Sequence, residues 1–160
     1  MERTPTAFRL LQDGTGTWAA FRPFIGAWSD ERLSLDVSAD GPGTALTATA
    51  RPVTSDASNA PCGPGVFALR WFECEPAHAD EFVELSAGAW PAFEEGTPGP
   101  RVFGLFRAAE PAGDSTRFLL CTRYPSLAGW ESSRADTGSR EFRRRAELTR
   151  RTQVTLWRLA

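Results

Sequence analysis

Two segments of this chain are apolar on both faces, and that feature limits the folds open to it most. In Arg117–Tyr124, Phe118 and Leu120 face one way, while Leu119 and Cys121 face the other. In Arg101–Arg107, Val102 and Phe106 oppose Phe103 and Leu105. A strand that is apolar on both sides needs cover on both sides. Helices can cover one. The other must meet a second sheet, from the first half of the chain or from another chain, in a sheet-on-sheet or closed-barrel arrangement with an interior.

The neighbouring elements show in their punctuation. Gly65–Cys74 is rich in branched and aromatic residues and predicts a strand. Pro76 and Asp80-Glu81 mark a helix start. Phe82, Leu85, Ser86, Ala89, Trp90 and Phe93 follow on one helical stripe, loosened near its end by Pro91. Thr97–Pro100 predicts a loop, and Pro111–Asp114 a turn joining the two double-faced strands as a hairpin. Ser126 can cap a short helix through Arg134, residues 135–138 break the pattern, and Ser139 can cap a helix to about Arg151. Gln153–Leu159 alternates as a last strand. The order β-α-β-β-α-β is that of a ferredoxin-like unit.

The first half partly repeats this order. Ala7–Leu11 predicts a strand, and Trp18, Phe21, Ile25 and Trp28 fall at helical spacing. Arg32–Val37 and Thr44–Arg51 predict a hairpin. Gly26-Ala-Trp28 recurs as Gly88-Ala-Trp90, and Thr49-Ala-Arg-Pro52 resembles Thr122-Arg-Tyr-Pro125, which supports a divergent duplication. The expected organisation is a degenerate β-α-β-β half over 1–52, a linker over 53–64 and a ferredoxin-like half over 65–160. The fold class is α+β: two ferredoxin-like halves, the first truncated, with antiparallel sheets packed as an α/β barrel.

Composition narrows the chemistry. The 160 residues suit one domain, and all 18 basic residues are arginine. Without lysine there is no Schiff base, P-loop lysine or pyridoxal-phosphate anchor. The net charge of -2 is too balanced for a general nucleic-acid binder. The C-terminal stretch from Arg134 carries 8 arginines against 3 acids. Within it, Glu141 with Arg145 and Glu147 with Arg151 can pair at i, i+4 on a solvated helix face. Three cysteines at long spacing fit free thiols in a reducing compartment. No apolar run is long enough for a membrane helix, and the start lacks a signal core. The expected location is the cytoplasm, with neither membrane nor nucleic acid as partner. One histidine and no close cysteine pair argue against a histidine- or thiolate-based metal site, and no cofactor is expected.

Several of these segments resemble a NIPSNAP-type domain of the dimeric α+β-barrel superfamily. They are Trp71-Phe-Glu73, Ala89-Trp-Pro-Ala-Phe-Glu94, Val102-Phe-Gly-Leu-Phe-Arg107 and, most specifically, the run Leu119–Glu131 with its Thr122-Arg-Tyr-Pro-Ser126 core and Trp130. The resemblance spans roughly residues 66–160. It implies the barrel fold and allows a homodimer. The superfamily includes cofactor-free monooxygenases, haem-degrading enzymes, isomerases and ligand-binding members, and no shared catalytic residue carries over.

Candidate residues follow from chemistry. His78 alone titrates near neutrality and could act as a base or haem ligand, although its helix-start position suits the surface. Tyr124 and Arg123 are strand neighbours, so one points inward; the tyrosine could donate to a substrate oxygen and the arginine could bind a carboxylate. Arg70 and Arg107 sit among apolar neighbours and need a partner, either a glutamate such as Glu73, Glu94 or Glu131, or a bound anion. Trp71, Trp90 and Trp130, with Phe93, could line an apolar pocket or simply fill the core. The function expected is binding of a small hydrophobic or aromatic ligand between the sheets. The alternative is a cofactor-independent monooxygenase or isomerase acting on an aromatic or polyketide-like substrate.

Overall fold

A computed structural model describes residues 6–96, 99–135 and 139–160. Its eight strands are β1 (Ala7–Leu11), β2 (Ala19–Ile25), β3 (Leu33–Asp36), β4 (Thr44–Ala48), β5 (Val66–Cys74), β6 (Arg101–Ala108), β7 (Thr116–Tyr124) and β8 (Thr149–Leu159). Three helices accompany them: α1 (Ala79–Phe93), α2 (Leu127–Ala135) and α3 (Arg140–Leu148). The strands close into one antiparallel barrel in the order β1-β3-β2-β8-β5-β7-β6-β4, with β4 returning to β1. The second sheet demanded by the double-faced strands is therefore the first half of the same chain. The barrel needs no second copy.

The interior is packed, not hollow. Phe8, Leu35 and Leu46 from the first half meet Phe67, Phe106, Leu119 and Trp157 from the second. Cys121 lies among them, and burial pushes its thiol up to about 12. A ligand between the sheets, as expected from sequence, would have to displace these buried side chains.

Strict alternation fails in β6. A bulge between Val102 and Gly104 inserts one residue. Phe103 and Phe106 consequently share the interior, while Val102 and Leu105 share the outer face. Glycine suits the spot, because a Cβ on Gly104 would lie 2.5 Å from the Phe106 ring.

The helix expected over Trp18–Trp28 is strand β2. Its spacing was coincidental: Ala19 and Phe21 enter the core at period two, whereas Trp28 is 79% exposed. Pro23 would break a helix interior, but β2 accommodates it opposite Trp157 beside a bulge. The first half is thus β-β-β-β, and Gly26-Ala-Trp28 is not equivalent to Gly88-Ala-Trp90 within α1.

All three helices lie in the second half. On α1, Phe82 stacks on Phe118 of β7 with centroids 4.8 Å apart. Ser126 caps α2 by accepting from the Gly129 amide at 3.0 Å, and Ser139 caps α3 by accepting from Phe142 at 3.2 Å. Helix α3 ends at Leu148, where β8 takes over the chain earlier than expected. Thr97 and Pro98 of the expected loop, and 136–138 of the expected break, lie outside the described residues. Among the described residues no helix is long and apolar enough to cross a membrane.

Candidate functional site in the sheet–helix cleft

Outward-facing residues of β5, β7 and β8 form the floor of a cleft beneath the helices. Its volume is about 830 Å³, within the range of small-molecule sites. Arg70 rises from β5, Thr122 and Tyr124 from β7, and Thr152 from β8. Trp90 and Phe93 come from α1, Trp130 from α2, and Phe142 and Arg145 from α3. Strand register orders the floor. Arg70 stands opposite Leu120, Ala68 opposite Thr122 and Val66 opposite Tyr124. From Leu120 to Tyr124 is ~14 Å at 3.4 Å per residue, so the arginine and the tyrosine mark two ends.

The tyrosine end is aromatic. Phe93 packs edge-on to Tyr124 at 6.1 Å and to Phe142 at 5.5 Å. Arg134 lies over the Trp130 ring at 4.9 Å. The other end is cationic. The Arg145 guanidinium lies 4.9 Å from the Phe72 ring centre, 5.7 Å from Phe82 and 4.6 Å from Phe142. It donates to Ser86 Oγ at 3.2 Å. Arg70 donates to Thr152 Oγ1 at 3.4 Å. Among the described residues, neither arginine has a carboxylate within ion-pair distance. Among the described residues the one acid lining the cleft is Glu95, which is exposed.

Poor solvation and the Arg70 charge pull Arg145 down to about 10. Desolvation lowers Arg70 as well, and the Arg134 charge adds to the effect. Two half-buried cations in one cleft, each without a counter-charge among the described residues, are expensive unless an anion joins them. Both side chains line the cleft and are only partly buried.

Burial raises the Tyr124 phenol above its ordinary value, while the Ser133 hydroxyl and the charges of Arg70 and Arg145 pull the other way. The phenol is therefore a neutral donor at physiological pH. Tyr124 is the only tyrosine, so absorbance at 295 nm reports it alone. Its midpoint should lie above 10 in the folded protein, and higher still in Arg145→Met. An unfolded chain ionises first, so the phenol's own contribution to stability is lost as pH rises from 10 through the folded midpoint. A folded midpoint at or below 10 would contradict this picture.

Four of the eight residues singled out from sequence meet in the cleft: Tyr124, Arg70, Trp90 and Trp130. The other four lie elsewhere. His78 is in the 3-10 turn Pro76–His78, with Nδ1 3.6 Å from Glu75, so it cannot serve the cleft as base or ligand. Arg123 alternates away from Tyr124 and donates to the Cys62 carbonyl at 3.0 Å. Arg107 is exposed, 3.9 Å from Asp80. Trp71 packs against the barrel interior under Arg117. Two of the three expected glutamate partners are taken by other arginines: Glu94 pairs with Arg51 at 2.8 Å, and Glu73 with Arg151 at 3.7 Å; the third, Glu131, is exposed.

Sequence reasoning missed Arg145, which it placed on a solvated face paired with Glu141. It is instead Arg144 that faces outward, bonded to Glu81 and Glu147. The available signal was Phe142, one turn before Arg145 on the same face of α3.

No protein-family model matches the chain, and no curated protein matches it. Two solved structures do. The fold is ferredoxin-like. LmHde, a heme-degrading enzyme from Listeria monocytogenes, matches with a TM-score of 0.61 at 13% identity, covering 96% of this chain and 99% of that one. An uncharacterized ferredoxin fold protein related to antibiotic biosynthesis monooxygenases, from Listeria monocytogenes 4b F2365, matches with a TM-score of 0.59 at 11% identity, covering 99% and 96%. At such identities the likeness establishes the architecture alone.

Proposed function

We propose that this chain binds a small aromatic anion in the cleft between the helices and the outer face of β5 and β7, as a NIPSNAP-like ligand-binding protein. The carrying observation is the Arg70–Arg145 pair, which shares one cleft without a carboxylate among the described residues. Aromatic walls suit a flat ligand body, and planar guanidinium groups suit a carboxylate or phenolate head. The test is calorimetric titration with anthracene-2-carboxylate and, as a neutral control, 2-methylanthracene. The acid should bind, more weakly at high salt, and the control should bind at least about tenfold more weakly, the value of one charge-assisted hydrogen bond. Equal binding of acid and control would sink the proposal.

A second reading is cofactor-independent oxygenation, favoured by a neutral Tyr124 phenol that shares the cleft with the two cations and feels their charge. The relation of one structural neighbour to antibiotic biosynthesis monooxygenases is in keeping with it. The arginines would stabilise the enolate of an activated methylene, and Tyr124 would hydrogen-bond its oxygen. Dioxygen would be the co-reactant: R2CH2 + O2 gives R2CO + H2O. Oxygen uptake with an anthrone, lost in Tyr124→Phe, would support this reading; no uptake above the uncatalysed rate would remove it. Haem suits the cleft less well than it suits the other neighbour's described activity. Among the described residues lining the cleft there is no histidine, cysteine or methionine, so Tyr124, as its phenolate, is the side chain there that would hold a haem iron.

A further inference from the structure

The arginines of the cleft fall into two kinds. Arg150 pairs with Glu75 at 2.8 Å and with Asp114 at 3.1 Å, and Arg151 lies 3.7 Å from Glu73. Both are exposed, where an ion pair contributes little. Arg70 and Arg145 are more buried, and among the described residues neither has a carboxylate. Carboxylates thus stand where water already solvates the cation and are missing where it does so poorly.

Each inner arginine has a hydroxyl instead. Arg145 donates to Ser86 Oγ at 3.2 Å, and Ser86, fully buried on α1, donates in turn to the Phe82 carbonyl at 2.8 Å. Arg70 donates to Thr152 Oγ1 at 3.4 Å, and Thr152 donates to the Trp71 carbonyl at 2.9 Å. Both hydroxyl protons are committed to the backbone, so each oxygen turns a lone pair to its guanidinium. A hydroxyl orients a guanidinium without cancelling its charge. The site is therefore one of two oriented cations that keep their full charge.

The two charges meet at one ring. Phe72 follows Arg70 by two residues on the same face of β5, and its side chain lines the cleft. The Arg70 guanidinium lies 5.9 Å from the Phe72 ring centre, and the Arg145 guanidinium 4.9 Å. They are near enough for the Arg70 charge to help hold Arg145 below its ordinary value. Arg134, seated over Trp130, adds a third positive charge that depresses Arg70. One compact group beside Phe72 is within reach of both inner forks.

The charge count then selects the group. A carboxylate brings one negative charge and leaves one of the two cations uncompensated. A phosphate monoester brings about 1.5–2 negative charges at neutral pH and three acceptor oxygens. We infer that the ligand of this cleft is an aromatic phosphate monoester, its dianionic head beside Phe72 between Arg70 and Arg145 and its ring body directed along β7 toward Tyr124 and Phe93. This rests on the aromatic-anion reading above and sharpens the head from any anion to a dianion.

Calorimetric titration at neutral pH with 2-naphthyl phosphate and 2-naphthyl sulfate tests this. The two esters share the ring and a tetrahedral head and differ in charge. The phosphate should bind the wild type at least about tenfold tighter than the sulfate, the value of one charge-assisted hydrogen bond. Arg70→Met and Arg145→Met, each shown folded by its melting curve, should weaken the phosphate more than the sulfate, because a single inner cation remains for either ester. Equal affinity of the two esters in the wild type, or a preference that both variants keep in full, overturns the inference. Binding of anthracene-2-carboxylate in the same series would then leave the aromatic-anion reading standing. If neither ester nor the carboxylate binds, both fall.

Discussion

Replacing Arg145 with methionine should lower the affinity for anthracene-2-carboxylate roughly 10- to 100-fold, without destabilising the free protein. A hydrogen bond to a charged group contributes about 1.5–3 kcal/mol, and each 1.4 kcal/mol is tenfold in affinity. The stability expectation has the opposite sign. Arg145 is a poorly solvated cation beside a second cation, with Ser86 as its protein partner and no carboxylate in reach among the described residues. Its stacking on Phe72, Phe82 and Phe142 offsets part of that cost, at about 0.5–2 kcal/mol per favourable contact. Methionine keeps an adaptable apolar body against the same rings and removes the unpaired charge. The melting temperature should therefore hold or rise by a few degrees. Ligand titration and thermal melts on the same sample check both halves. A variant that melts earlier yet binds as before would make Arg145 a structural cation and remove the anion site.

Phe106→Ala should cost about 3–5 kcal/mol, the usual range for deleting a core aromatic ring. Phe106 is fully buried. It touches Phe8 at 5.0 Å and Trp18 at 6.1 Å between ring centres. Those partners come from the first half of the chain, so the ring joins the two halves of the barrel. Alanine would open a void lined by groups anchored in closed strands, which can relax little. Urea unfolding should remain a single transition with a lower midpoint. A loss below about 1 kcal/mol, or two separated transitions, would mean that the halves do not share one core. The cleft lies on the other side of the sheet, so ligand affinity of the folded variant should change little.

The second half was legible because each element carries its own local signals. Pro76, Asp80-Glu81 and the Phe82–Phe93 stripe define α1; Ser126 and Ser139 cap α2 and α3; the double-faced strands announce a covered sheet. The first half was not, because the spacing of Trp18, Phe21, Ile25 and Trp28 fits a helix as well as the observed strand. What settles it is cross-strand pairing with Leu33–Leu35 and with β8, more than a hundred residues away. Half of the residues nominated from sequence lie in the cleft for the same reason. Residue type and strand parity nominate Tyr124, Arg70, Trp90 and Trp130. They do not say that Arg123 turns to the linker or that His78 stays with Glu75.

By itself the sequence determined that both faces of the central strands are covered, that no amine chemistry is available and that arginine supplies every cation. Each of these follows from residue identity or a two-residue period. Only the tertiary structure decided that the barrel closes within one chain and that its interior is full. It also decided that the open space lies on the outer face, where Arg145 meets Arg70. Those are relations between elements distant in sequence, set by register, by the β6 bulge and by how the helices lie on the sheet. No local pattern encodes which groups are left without partners, because partners are brought together by contacts between distant elements.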